Sequence, residues 1–452
     1  MKKVRLLSLL LAVGIGLTYI SIGSLGCKGR PSSSGKDSTN TSVTDSGQTT
    51  LSPNLPYDVT IAPTDTVLQT QIRADFDLFS WESFIALNWS PDSTEIIGAN
   101  GDNATVWETW KENAEVFLPD GSKPAPWNAA LQQKNKVLVQ VGKTPTVLLT
   151  DVTQPFLTGP LIDQNGQYTR FEIVMNEKMF DYIDNNVLYN YQGQQKFTDT
   201  IAFPSGNNEK KAHGAIMVKA SWKIMGKGDD TTRFHKTRAT IHVNAIPKQG
   251  VKDTTYTALV GLVGLHIGTK SQNNPQWIWS TFEQVDNAPT FNAVKDVHYN
   301  FYKAAAGNNN MNNAPAHPWN PSIPGQTPSQ IVRLTPIFEG TQALNDAFHK
   351  KLIAVNPKTV WQYYELVGTQ WPVHAKQSAT GDPFPVYMAN STLESYIQGV
   401  VREGKISYVP GVTSSCIGCH NGATSWSGRT SDFTYLLRTA SAYKQAAGNK
   451  KK

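Results

Sequence analysis

The 452-residue sequence predicts an α+β fold: a strand-rich central body flanked by helices and closed by a small helical C-terminal segment. Two patterns predict it. Residues 136–290 hold repeated short runs of β-branched and aromatic residues bounded by Gly, Pro and Asn. On either side of that stretch, apolar residues recur at helical spacing. At 39% hydrophobic and 17% charged, the chain is too apolar for disorder and long enough to bury a large core. Its 12 Trp, 16 Tyr and 17 Phe supply much of that core.

The N-terminus reads as a targeting segment. Lys2, Lys3 and Arg5 precede an apolar run from Leu6 to Ile22, followed by Ser24-Leu25-Gly26-Cys27. Cleavage that leaves Cys27 first resembles a bacterial lipoprotein signal, with Ser24 where such signals carry Leu. Residues 1–26 are therefore expected to be removed on export and Cys27 to be lipidated. No later apolar run approaches the ~20 residues of a membrane span. Residues 27–56 are Ser/Thr-rich with little apolar content, so a flexible tether reaching roughly 30 Å is expected.

The body is placed at 57–370. A first helix is expected from Thr66 to Trp89, where Leu68, Ile72, Phe76, Phe79, Phe84 and Leu87 share a stripe and Pro91 stops it. Strands are expected at Val137–Val141, Thr146–Leu149, Phe171–Met175, Ile216–Trp222, Ala239–Ala245, Thr257–Ile267 and Trp277–Phe282. Thr257–Ile267 is apolar on both faces and reads as a central strand. Asp163-Gln164-Asn165-Gly166 starts like a calcium loop but lacks the downstream ligands, so Asn-Gly reads as a hairpin turn. Gly261, Gly264 and Gly268 lie in a strand pattern and make no dinucleotide fingerprint. After a loop at 307–328, a helix is expected over Thr341–Leu352, and Asn356-Pro357 reads as the start of another reaching Gly368.

Residues 371–452 carry the chemistry. The three cysteines are Cys27, Cys416 and Cys419, too few for a disulfide framework. Cys416-Ile417-Gly418-Cys419-His420 is C-x-x-C-H, the haem c attachment signature. Two thiols three residues apart reach the two vinyl-derived carbons of one porphyrin, and the following His presents a ring nitrogen to the iron. Chance predicts this pattern about 4 × 10⁻⁴ times per chain of this composition. Export agrees with it, because c-type haem is attached outside the cytoplasm. Zinc would need a fourth ligand beside Cys416, Cys419 and His420. A thioredoxin-like dithiol would want a βαβ setting, whereas a Pro410-Gly411 loop precedes this motif. One covalent haem c is therefore expected, with Cys416 and Cys419 as thioethers and His420 as axial ligand.

Around the motif, Ser391 and Glu394 form a capping-box pattern that predicts a helix through Leu393, Tyr396, Ile397, Val400 and Val401 to Gly404. Thr430 or Ser431 caps a second predicted helix with Phe433, Leu436, Leu437 and Ala440 on one face. Residues 391–440 thus resemble a c-type cytochrome segment. More widely, Asp77-Leu-Phe-Ser-Trp81 through Leu87-Asn-Trp89, Gly261–Gly268, Trp279-Ser-Thr-Phe-Glu283, Tyr364-Glu-Leu-Val-Gly-Thr-Gln-Trp371 and Ser415–His420 resemble bacterial monohaem cytochrome c domain lipoproteins of similar length. The resemblance covers most of the mature chain and implies haem c at Cys416, Cys419 and His420. It implies no activity. Small soluble cytochromes c carry the motif near the N-terminus and a Met ligand downstream. Here the 32 residues after His420 contain no Met.

A distal iron ligand must therefore come from upstream or be absent. Met388 is the nearest Met and leads into the segment. His266 sits on a strand face with Val260, Leu262 and Gly264. For both, core packing is the competing reading. His242 and His349 are expected at the surface, and His317 and His374 on Pro-rich loops. Trp107/Trp110 and Trp277/Trp279 are expected to pack in the core rather than present a carbohydrate surface.

The sequence thus predicts an exported, membrane-anchored monohaem c-type cytochrome of the cell envelope that transfers single electrons to a redox partner protein. One alternative is a haem enzyme with an open iron site acting on peroxide or a nitrogen oxide. Another is a haem-based sensor or partner-binding protein. The formal charge of +6 falls to about +3 without Lys2, Lys3 and Arg5, and no Lys/Arg run tracks phosphates, so nucleic acid is not expected as a partner. Cys27→Ser is expected to release the protein from membranes, since each buried CH₂ of an acyl chain contributes about 0.8 kcal/mol. Fractionation checks this: a variant that stays with the membrane removes Cys27 as the anchor.

Overall fold

The computed structural model describes residues 51–60, 69–92, 94–99, 101–130, 146–149, 154–295, 297–306, 310–317, 319–320, 326–374, 382–408 and 414–444. The signal-type segment 1–26, tether residues 27–50 and the strand expected at Val137–Val141 lie outside the described residues. The end of the expected tether belongs to the folded unit, because Leu51 and Leu55 pack on the main core.

The α+β fold is built on a nine-stranded sheet. Its main path runs β1 (Lys111–Glu112), β3 (Arg170–Met175), β4 (Ile216–Ile224), β6 (Thr254–Thr269), β7 (Ile278–Gln284), β9 (Tyr364–Pro372) and β10 (Pro383–Phe384), every pair antiparallel. The N-terminal half of β6 also pairs with β5 (Lys236–Val243), which carries β2 (Thr146–Leu149) in parallel. A separate three-stranded sheet joins β8 (Asn310–Met311), β11 (Val400–Arg402) and β12 (Lys405–Ser407). The helices are α1 (Gln69–Leu87), α2 (Asn113–Val116), α3 (Trp127–Ala130), α4 (Glu177–Asn185), α5 (Tyr191–Lys196), α6 (Glu339–Val355) and α7 (Cys416–His420).

The long helices α1 and α6 cover one face of the sheet. Trp81, Phe84 and Ile85 of α1 and Phe348 and Leu352 of α6 pack there with Val218, Ala220, Leu265, Ile267, Phe282 and Leu366. Each Val, Leu, Ile or Phe side chain among them taken fully out of water contributes about 1.5–3 kcal/mol. The opposite face presents Met175, Met217 and Trp279 to Met179, Phe180 and Ile183 of α4 and to Ile417, Phe433, Leu436 and Leu437 of the C-terminal segment. Side-chain alternation along β4 sends Val218 one way and Met217 the other.

β6 is central, as its two-sided apolar pattern requires, but it is not regular. Leu262 pairs with Trp222 and Gly264 pairs with Ser221, which leaves Val263 as an extra residue. A bulge of this kind reverses the facing of every later side chain. Leu262 before it and Leu265 and Ile267 after it all face the helix-covered core. His266 therefore points to the opposite face from Val260 and Leu262, contrary to the facing expected from simple alternation.

Several local signals are overridden. Asn356 ends α6, its N–H bonding Leu352 O, instead of opening a helix. The following residues make a single 3₁₀ turn at Val360–Tyr363 and then β9, which pairs along β7. Ser391 does not cap a helix, because its hydroxyl and N–H are taken by the buried Glu283 of β7. Residues 391–399 form turns, although Glu394 does reach back to accept from the Asn390 N–H at 2.9 Å. The second flanking helix is reduced to a 3₁₀ turn at Leu436–Thr439, because Asp432 and Phe433 hold left-handed backbone at φ 50° and 63°. Helices α4 and α5, unmarked by the strand-rich reading, start at Asn176 and Asn190, whose side chains accept from Met179 N and Gly193 N. Asp163–Gly166 is a turn. Asp163 Oδ1 accepts from Asn165 N at 2.9 Å and Gln167 N at 2.8 Å, while the Lys223 ammonium lies 3.3 Å from its Oδ2 and 2.6 Å from Asp229 Oδ1.

Among the described residues, no helix is long and apolar enough to cross a membrane. Trp107, Trp277 and Trp279 are buried in the core.

Asp77 of α1 gives the fold a pH dependence. It is 1% exposed and accepts from Thr341 Oγ1 at 2.6 Å and Thr369 Oγ1 at 2.7 Å. Burial pushes its carboxyl up to about 6, against those hydroxyls and Arg73, which pull it down. An unfolded Asp titrates near ~3.9, so between these values the native state binds more protons and stability falls as pH rises. Asp77→Asn should raise the melting temperature at neutral pH and change it little at mildly acidic pH. Equal shifts in thermal melts at both would refute that linkage.

Candidate functional site

The motif folds as one turn of helix, α7. Positions i, i+3 and i+4 share a helix face. Cys416, Cys419 and His420 are such a set, and Ile417 turns the other way into the core at 1% exposure. Ser415 caps the turn, its Oγ accepting from Gly418 N at 3.1 Å. Gln370 of β9 fixes it to the sheet: Oε1 accepts from Ile417 N at 2.8 Å and Ser415 Oγ at 3.2 Å, and Nε2 donates to Pro385 O at 2.6 Å.

That face opens on a cavity of about 380 Å³, within the usual range for small-molecule and cofactor sites. Cys416, Cys419 and His420 line it, and so do both residues considered upstream for the iron, Met388 and His266. The remaining wall is mostly apolar, from Ile173, Met217, Trp279, Ile397 and Leu436. Phe156, 59% exposed, marks its rim. Four strands therefore supply a wall for a motif that follows all of them in the chain.

His420 is set in one tautomer. Its Nδ1 lies 2.6 Å from the Phe433 carbonyl, which can only accept, so Nδ1 carries the proton and Nε2 keeps a free lone pair. Among the described residues nothing bonds Nε2. Burial pushes the imidazole down to about 4, with the Phe433 carbonyl opposing and Lys219 and His266 adding to the fall. A neutral His held through Nδ1 by a backbone carbonyl is the arrangement that aims a metal-binding nitrogen. Trp279 packs on its ring at 4.5 Å between centroids and Tyr435 at 5.3 Å.

One wall is charged. His266 Nε2 lies 3.3 Å from Glu394 Oε2, and Lys219 pairs across from His266 on β4. Burial alone would raise the Glu394 carboxyl, but His266, Lys219 and the Asn390 N–H outweigh it and hold it below the usual carboxylate range. Met388 is 4% exposed and packs beside Gly368 of β9, where a Cβ would stand 3.2 Å from its sulfur. His242 is part-exposed beside Asp253, at 3.3 Å, and His317 stacks on Trp319. His349 is only half-buried and bonds Tyr364 O at 2.7 Å. These three do not line the cavity. Sequence reasoning missed Lys219, Gln370 and Trp279 as parts of the site. Only the alternation of polar and apolar residues along β4 and β9 hinted at the first two.

Cys416, Cys419 and His420 facing one cavity is an arrangement that the expected haem c would need. Among the described residues, no three His, Cys, Asp or Glu gather tightly enough to hold a bare metal ion. Burial pushes the Cys416 thiol well up and Cys419 up to about 11, the reverse of a reactive dithiol. Trp279 Nε1 is buried with no partner among the described residues. No family model, curated protein or solved structure matches the chain.

In protein made without haem attachment, Cys419 should alkylate slowly at neutral pH, because a thiol raised to about 11 holds little thiolate there. The rate should climb steadily through mildly alkaline pH. Fast, pH-independent alkylation from neutral pH upward would reveal a depressed pKa and revive the dithiol reading.

Proposed function

We propose that the chain is an exported, lipid-anchored monohaem c-type cytochrome that transfers single electrons to a partner protein in the cell envelope. The observation that carries this reading is His420: its Nδ1 is committed to the Phe433 carbonyl, and its free Nε2 shares one cavity with both motif thiols. A haem bound there supplies an iron that cycles between ferrous and ferric states. Cys416 and Cys419 would hold it, each S–H adding across a vinyl group with no atom lost. His420 Nε2 would bind the iron, and Phe433 and Trp279 keep that ring from turning. Met217, Ile173 and Leu436 exclude water from the site, which with the axial ligands sets the potential.

The His266–Glu394 pair favours a second reading, a haem enzyme acting on peroxide or a nitrogen oxide. A carboxylate 3.3 Å from an imidazole on the cavity wall can hold and return a proton next to a bound small molecule.

The test is the optical spectrum and intact mass of the purified protein and of a variant carrying Cys416→Ser and Cys419→Ser. The parent should carry one covalent haem and the variant none. Covalent haem in the variant overturns the assignment. A weak ferric band near ~700 nm, lost in Met388→Ala, identifies Met388 as sixth ligand. A low-spin ferric form without that band, made high-spin by His266→Ala, identifies His266. Ready carbon monoxide binding in the parent is expected if the sixth position is open, which the enzyme reading also requires together with a distal acid/base group such as Glu394 or His266.

A further inference from the structure

We propose that Trp279, Trp277, Phe203 and Tyr182 form the route by which electrons pass between the motif and the protein surface. This rests on reading Cys416–His420 as a haem c site.

The rings form a continuous run. From the His420 imidazole, centroid separations are 4.5 Å to Trp279, 6.1 Å on to Trp277, 6.2 Å to Phe203 and 5.0 Å to Tyr182. All four lie within the ordinary contact range of aromatic pairs, about 4.5–7 Å. The run starts on the proposed iron ligand, crosses the buried core and ends at a half-buried tyrosine. The Tyr182 hydroxyl accepts from the N–H of the exposed Ala202 at 3.0 Å. Tunnelling falls off exponentially with each gap that electronic coupling must cross, so a chain of touching π systems transmits better than an equal span of aliphatic packing.

These rings lie in one buried cluster, and Trp277 is held by more than that packing. Trp277 sits in left-handed backbone at φ 75°, a genuine outlier for so bulky a residue. Strain of this kind persists only where surrounding contacts impose it, and it concentrates at functional positions. Those contacts are present. Trp277 Nε1 donates to Asp432 O at 3.0 Å, and the Lys270 ammonium stands 5.7 Å from the ring with its charge balanced by Asp432. Trp279 beside it is 4% exposed, and its Nε1 has no partner among the described residues. Its ring is thus placed by stacking rather than by a hydrogen bond. In a transfer outward, one electron leaves the reduced site and arrives on an oxidised one-electron acceptor docked near Tyr182. No bond forms or breaks, and the rings end as they began.

The test uses the full haem-loaded chain with Asp199→Cys, an exposed position whose charge acts on Tyr182, carrying a ruthenium photosensitiser. With Cys27 acylated and Cys416 and Cys419 bound, this is the one free thiol. A flash-quench pulse then times oxidation of the haem. Phe203→Leu and, separately, Tyr182→Leu should slow it several-fold while haem content and optical spectrum stay unchanged. With the sensitiser at Lys358→Cys, beside the helix-covered face, the same substitutions should leave the rate unchanged. In the haem-free Cys416→Ser, Cys419→Ser background, the pulse should leave a tyrosyl signal in electron paramagnetic resonance. There Tyr182 gives one electron to the photo-oxidised ruthenium and its phenolic proton to solvent, and Tyr182→Phe should abolish the signal. Haem present with unaltered rates from position 199 overturns the route. Equal slowing from both label positions does so too, since it reveals a general structural effect. A parent chain that carries no haem instead overturns the reading beneath it.

Discussion

The extra residue at Val263 governs what the sheet can do. Ahead of it, Val260 and Leu262 of β6 pack into the helix-covered core; beyond it, Leu265 and Ile267 do the same, although strict alternation would turn them away. The reversal frees His266 and Gly268 to face the cavity. A regular strand would bury the imidazole among Trp81, Phe84 and Phe282 and present leucine and isoleucine to the motif. One inserted residue therefore lets a single strand serve an apolar core on one side and a polar wall on the other.

The motif segment is held by polar contacts to the sheet rather than by helices of its own. Glu283 binds Ser391, Asn390 donates to Phe282 O at 2.8 Å, Gln370 takes Ile417 N, and Lys270 pairs with Asp432. The charges behind this are themselves paired: Arg333 lies 3.1 Å from Glu283 and 3.0 Å from Glu365. Buried ion pairs of this kind add little net stability, but breaking one by removing a partner is costly. They therefore fix the motif thiols and imidazole relative to one wall.

The helices α1 and α6 were legible from apolar residues at helical spacing, and strands β2 to β7 from short β-branched and aromatic runs, β6 because its run is apolar on both faces; β9 and β11 were instead expected to be helical. Local cap signals read less truly. Ser391 and Glu394 match a capping box, yet Glu283, distant in sequence, claims the serine. Asn356-Pro357 matches a helix start, yet the backbone of β7 recruits Tyr364 and Leu366 into a strand. The site split the same way. C-x-x-C-H is contiguous and needs no fold to be read, and Met388 and His266 were within reach of one-dimensional reasoning. Lys219, Trp279 and Gln370 come from three different strands, and their meeting is a property of topology that no local pattern encodes.

The position of the motif also decides what covers the wall. Every strand that walls the cavity precedes Cys416 in the chain. The face bearing Met217 and Trp279 is covered by that later segment. The segment buries Ile417, Phe433 and Leu437 together with the wall. The same burial raises both motif thiols, so in the closed fold they are less ionised and harder to reach. The body thus shields the motif as well as positioning it.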